Sequence, residues 1–81
     1  MHVTLHLPGG RRNDFSIDGA GNWKENLATT LRRRVPGARD LTFVQDLPRT
    51  RPAAGARVEC NLMFELTPGY YLHGLLEISG E

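Results

Sequence analysis

One stretch of this chain, residues 22–34, has a helical period, and it constrains the fold more than any other feature. Its apolar residues recur every four positions and therefore share one face: Trp23, Leu27, Leu31 and, just beyond, Val35. Asn22 and Glu25 have the spacing of a capping box, and three arginines followed by Val-Pro-Gly mark the helix end. Because a helix with one apolar stripe must bury it, we expect a sheet beneath it.

The rest of the chain alternates between apolar and polar residues, which indicates strands. Five segments show this pattern: residues 2–7, 12–18, 41–46, 57–67 and 70–78. The sequence therefore predicts a single two-layer α+β domain over residues 1–81, in ββαβββ order, with one helix packed on one face of a mainly antiparallel sheet. Its first elements (hairpin, helix, strand) resemble the layout of a β-grasp, or ubiquitin-like, domain.

The polar residues lack the spacing of catalytic, metal or phosphate sites. Cys60 falls on the inward side of its strand, where burial raises the pKa of a thiol and makes it inert. His2 and His6 share a strand face but lie about 13 Å apart by strand rise, too far to bind one ion. The glycines before the helix do not form a phosphate-binding loop. We therefore predict a protein that is not an enzyme and has no metal or cofactor.

Composition is typical of a globular protein. Apolar residues make up 40% of the chain and charged residues 23%, a balance too apolar for disorder. A single cysteine excludes an internal disulfide and fits a reducing compartment, and no apolar run approaches the ~20 residues of a membrane span. These features predict a cytoplasmic protein with no membrane partner.

Charge is distributed unevenly along the chain. Residues 1–57 hold all ten Lys and Arg residues against five acids, whereas residues 58–81 hold four glutamates and no basic residue. Such a dipolar layout favours oriented docking onto a partner. If the first hairpin tip and the Pro-rich loop at residues 47–56 lie on one edge, their arginines form a patch that can bind phosphates or acidic side chains: Arg11, Arg12, Arg49, Arg51 and Arg57.

The sheet face away from the helix is a second candidate site. Alternation predicts that it carries apolar residues, including Val44, among polar ones, a composition typical of protein interfaces. The predicted partner-binding residues there are Met63, Tyr71, His73 and Leu75. Scattered exposed hydrophobic residues, or a strand register shifted by one residue, are the alternatives.

In format the chain resembles the small anti-CRISPR proteins of type I systems, which phages and mobile elements encode. The resemblance rests on a ββαβββ-like chain, the absence of catalytic residues, and charged loops such as Pro48-Arg49-Thr50-Arg51-Pro52. It implies a non-enzymatic inhibitor in the bacterial host cell, which docks on a subunit of the RNA-guided surveillance complex (Cascade) and blocks target DNA. Two other hypotheses stay open: a small nucleic-acid-binding module that uses the arginine edge, and a structural or assembly protein that forms a homodimer through the Met63, Tyr71 and Leu75 face.

Overall fold

The computed structural model describes residues 1–80, and this part of the chain forms five strands and one α-helix. In chain order they are β1 (His2–Leu7), β2 (Arg11–Ser16), α1 (Trp23–Arg34), β3 (Asp40–Phe43), β4 (Arg57–Thr67) and β5 (Tyr70–Ser79). The strands form one sheet in the order β2-β1-β5-β4-β3, and each neighbouring pair is antiparallel. The predicted α+β fold, with the helix on the sheet, is confirmed.

Helix α1 spans one face of the sheet, from the loop after β3 to β2. Near its start, the Lys24 ammonium donates to the Leu47 carbonyl in the loop after β3, at 3.1 Å. At its end, the Arg34 guanidinium lies 5.0 Å from the centre of the Phe15 ring on β2. The predicted capping box is replaced by a side-chain contact, because the Asn22 amide donates to the Glu25 carboxylate at 2.7 Å and caps no backbone group.

The core lies between α1 and the sheet, and the strand register aligns its side chains in rows. Rows of inward residues run across the central strands, for example Leu5 on β1, Leu76 on β5 and Cys60 on β4. The largest fully buried side chains come from three strands and the helix: Val3, Leu5, Leu27, Leu31, Leu62, Phe64, Leu76 and Ile78. The predicted inward faces of β1 and the middle of β4 are therefore confirmed.

Strand ends differ from the prediction. The third strand was expected at residues 41–46 but ends at Phe43. One more backbone hydrogen bond follows, from Val44 to the Asn61 carbonyl at 2.8 Å, and the Asn61 amide then donates to the Gln45 side chain at 2.7 Å. A side chain thus replaces the backbone acceptor, and the ladder stops. β2 ends at Ser16 instead of residue 18.

Three predictions of burial in the sheet were wrong. Alternation along β4 and β5 predicts Leu66 and Tyr70 on the core side of the sheet, but they are 37% and 72% exposed. A register shift between Glu65 and Thr67 interrupts the alternation of β4 just before the turn. Thr4 was expected on a solvated face but is 4% exposed, because its neighbours across the sheet are Asp14 on β2 and Glu77 on β5.

Candidate interaction surface

The face of the sheet opposite α1 is the main candidate site. No helix or strand of residues 1–80 covers it. Register divides it into two parts. The charged half combines residues of β1 and β2 with the adjoining ends of β4 and β5: His2, Thr4, His6, Arg12, Asp14, Arg57, Glu59 and Glu77. The apolar strip lies toward the β4–β5 turn and β3: Val44, Met63, Tyr71, His73 and Leu75.

Asp14 anchors the charged half on the β2 side. Its carboxylate accepts from Arg12 Nε at 2.8 Å and from the Thr4 hydroxyl at 2.7 Å, and His2 Nε2 lies 3.3 Å away. Hydrogen bonds from Arg12 and then Thr4 lower the pKa of Asp14 to about 2. Because Asp14 binds its own neighbours, it offers little free charge to a ligand.

Glu77 anchors the other side of the charged half. His6 Nε2, a buried atom, lies 3.5 Å from the Glu77 carboxylate, and the Arg57 guanidinium lies 3.9 Å from the same oxygen. Glu59 sits directly opposite Glu77 in the register and is ion-paired with Arg57. Contacts with Glu59 and then Glu77 raise the pKa of Arg57. The guanidinium thus offsets the repulsion between two facing carboxylates.

The apolar strip extends across three strands. Met63 pairs with His73 across β4 and β5, and Leu75 occupies the next outward position on β5. Tyr71 is 50% exposed and Val44 54% exposed, whereas Met63 and Leu75 are half-buried. The structure therefore brings together the four residues predicted for this face, Met63, Tyr71, His73 and Leu75.

Two carboxylates lie beside this strip: alternation along β4 predicts Glu65 on this face, whereas Asp40 was expected only as a strand-end acid. Asp40 on β3 lies directly opposite Glu65 on β4, and Glu65 lies directly opposite Tyr71 on β5. Neither carboxylate forms an ion pair with any residue in the range 1–80. Only the register of β3 against β4 shows that these acids meet, and no local sequence pattern signals that register.

The five predicted arginines do not form one patch. On β1, the residue opposite Arg12 is His6, and the residue in line with Arg57 is His2. The two arginines are therefore four residues apart along the strands and three strands apart across the sheet. That separation is roughly 20 Å between backbones. Arg12 and Arg57 are also ion-paired with carboxylates, and Arg11 alternates to the helix side of β2.

The loop arginines occupy two separate cavities. Arg51 lines a cavity of about 410 Å³ together with Met1 and Asp18, and its side chain packs against Gly19. Arg49 lines a different cavity, of about 510 Å³, together with Phe43. The condition for a joint phosphate-binding patch, that hairpin tip and loop share one edge, is not met.

The remaining candidate groups in residues 1–80 are metal-ligating side chains and Cys60. No group of three or more His, Cys, Asp or Glu side chains there is arranged to hold a metal ion. Cys60 is buried, which raises the pKa of its thiol, and its Sγ lies 3.4 Å from the Gln45 carbonyl. Helix α1 is too short and too polar to cross a bilayer, and the described chain has no other α-helix.

The fold and its open face define a class, a two-layer α+β domain with an exposed antiparallel sheet surface. Comparisons with protein-family models, curated proteins and solved structures find no match for this chain.

Proposed function

We propose that this protein is a non-enzymatic binding domain that docks on a protein partner through the apolar strip and acts by occlusion. One observation carries the proposal. Four apolar side chains and a histidine lie together on an open sheet face, beside a charged half whose residues pair with one another. An open antiparallel face is usually polar, and a contiguous exposed apolar patch marks an interaction site.

The geometry favours a protein partner over nucleic acid. A nucleic-acid module needs several free cations along one groove, commonly with aromatic residues to stack on bases. Here Arg12 and Arg57 bind carboxylates, the loop arginines line separate cavities, and the exposed Tyr71 lies directly opposite Glu65. The Glu65 carboxylate would repel a phosphate backbone that approached Tyr71.

The particular activity that we propose is that of a type I anti-CRISPR, which blocks target-DNA binding by the surveillance complex. Support comes from the format of the chain, a small ββαβββ domain, together with an exposed docking face. The test measures binding of target DNA to a purified type I surveillance complex as this protein is titrated in. Stoichiometric inhibition supports the activity, and unchanged DNA binding at excess protein, across complexes of different subtypes, contradicts it.

Substitutions on the two faces test the docking surface. Tyr71→Glu places a charge within the apolar strip and should abolish partner binding, whereas Thr29→Glu on the exposed side of α1 should not. Circular dichroism melts of both variants control for folding. Equal partner binding by Tyr71→Glu and the unmodified protein would show that the docking site lies elsewhere. Binding lost only in an Arg49→Ala, Arg51→Ala double variant, with a steep salt dependence, would favour the nucleic-acid hypothesis.

The homodimer hypothesis makes a separate prediction. If copies of this chain pair through the apolar strip, sedimentation should show a concentration-dependent dimer that Tyr71→Glu converts to a monomer. We expect instead a monomer in both proteins, because two open faces in contact would place like net charges against each other.

A further inference from the structure

We propose that the apolar strip binds a basic protein surface, one that presents lysine or arginine side chains to Asp40 and Glu65 next to an apolar contact. The inference rests on the proposed function and specifies the chemistry of its partner. It follows from how the fold distributes charge between the two sides of the sheet.

The open face is acidic. It carries five carboxylates (Asp14, Asp40, Glu59, Glu65 and Glu77) against two guanidinium groups (Arg12 and Arg57), a net charge of −3 with histidines neutral. The helix side and the loops carry three acids (Asp18, Glu25 and Asp46) against eight basic residues (Arg11, Lys24, Arg32, Arg33, Arg34, Arg39, Arg49 and Arg51), a net charge of +5. Residues 1–80 are therefore polarised across the sheet, and the −3 and +5 combine with Glu81 to give a formal net charge of only +1.

Within the acidic face, the two carboxylates next to the apolar strip are the ones that have no ion-pair partner in residues 1–80. Asp14, Glu59 and Glu77 are ion-paired in the charged half. Asp40 and Glu65 face each other across β3 and β4 and have no ion-pair partner in residues 1–80. Like charges directly opposite each other in a sheet repel, and a cation placed between them removes that repulsion.

A second copy of this chain is a poor occupant of the strip. If two open faces were in contact, a net charge of −3 would face another net charge of −3 across the interface. The basic helix side has the right charge, but the exposed residues on that side of α1 are polar: Glu25, Asn26, Thr29, Arg32 and Arg33. They offer nothing apolar to cover Met63, Leu75 and Tyr71. The surface therefore fits a different protein that combines basic and apolar side chains.

Synthetic peptides test this partner chemistry directly. Three peptides share two tryptophans and differ only in their remaining side chains, which are lysine, glutamine or glutamate. Each is titrated into isotope-labelled protein while amide chemical shifts are recorded. We expect the lysine peptide to shift amides of β3, β4 and β5 around the apolar strip, and to bind more tightly than the other two. A higher salt concentration should weaken binding of the lysine peptide, since salt screens exposed charges.

Charge-neutralising variants then locate the contact. The double variant Asp40→Asn, Glu65→Gln should weaken binding of the lysine peptide roughly tenfold, the combined effect of two partly exposed pairs. The matched control Glu25→Gln, Asp46→Asn removes two acids from the helix side and the loops. It should leave the affinity for the lysine peptide unchanged. Melting temperatures of both variants control for folding.

The outcomes separate the two proposals. Equal binding of the lysine and glutamine peptides, with loss in Tyr71→Glu, overturns the basic partner and leaves the docking surface intact. If the shifts are confined to α1 or to the loop at residues 47–56, the proposal that the apolar strip is the docking surface is overturned. The absence of shifts with any peptide overturns it as well. A dimer that excludes the peptides shows that a second copy occupies the strip and also overturns the inference.

Discussion

The two faces of this sheet come from the same strands and follow different physical rules. On the helix side, successive inward residues such as Phe64 and Leu76 are fully buried, and their identity is constrained by close packing. On the open side, the neighbouring residues Glu65 and Glu77 are only partly buried, and their partners are set by cross-strand register. The first face therefore accounts for stability, and the second is available for recognition.

Two aromatic residues test this division most strongly. Phe64→Ala removes a fully buried ring and should destabilise the domain by about 3–5 kcal/mol, because it leaves a cavity between sheet and helix. Tyr71→Ala removes a ring that is 50% exposed on the opposite face, and should cost less than about 1 kcal/mol. Urea unfolding of both variants gives the comparison, and similar losses would show that the open face also carries stability.

Gly80 tests how far tight packing extends beyond the core. A Cβ at this position would lie 1.9 Å from the Ala53 carbonyl oxygen, so Gly80→Ala must displace the loop that pairs with it through Ala54. We expect a loss of roughly 1–3 kcal/mol, the usual cost of overpacking. The control Ser79→Ala, one residue earlier, should change thermal stability little. A Gly80→Ala variant as stable as the unmodified protein would mean that this loop contact is dispensable.

Asp14 gives a pH test of the charged half. Its folded pKa of about 2 is below the ordinary value, so the stability that it contributes is present above that ordinary value and is lost as pH falls toward 2. The melting temperature of Asp14→Asn should therefore be lower than that of the unmodified protein at pH 6. This difference should shrink as pH approaches 2. A difference that stays constant with pH would assign the effect to lost packing and not to charge.

Much of the fold could be predicted from local pattern, because burial dictates alternation within each strand and a four-residue period in the helix. The limits of β4, the inward position of Cys60 and the stripe at Trp23, Leu27 and Leu31 follow from those patterns alone. Patterns of this kind do not report a strand end that a side chain determines. The early stop of β3 depends on the Gln45 side chain taking the place of a backbone acceptor.

The candidate surface was only partly predictable. Alternation places Met63, Tyr71, His73 and Leu75 on one face, so the apolar strip could be anticipated. The pairing of Asp40 with Glu65 and the separation of Arg12 from Arg57 depend on strand order and register. Those properties arise from contacts between segments far apart in the chain, which no single stretch of sequence encodes.

The strand order also has a consequence for how the protein is made. β5 lies at the centre of the sheet, between β1 and β4, so the last of the five strands to be synthesised joins the two halves. Pairing β1 with β5 closes nearly the whole described chain into one loop, an entropic cost that slows folding. During translation the β1–β2 hairpin and α1 emerge first but have no completed sheet to cover. We expect the nascent domain to acquire its native structure only after β5 has been released from the ribosome.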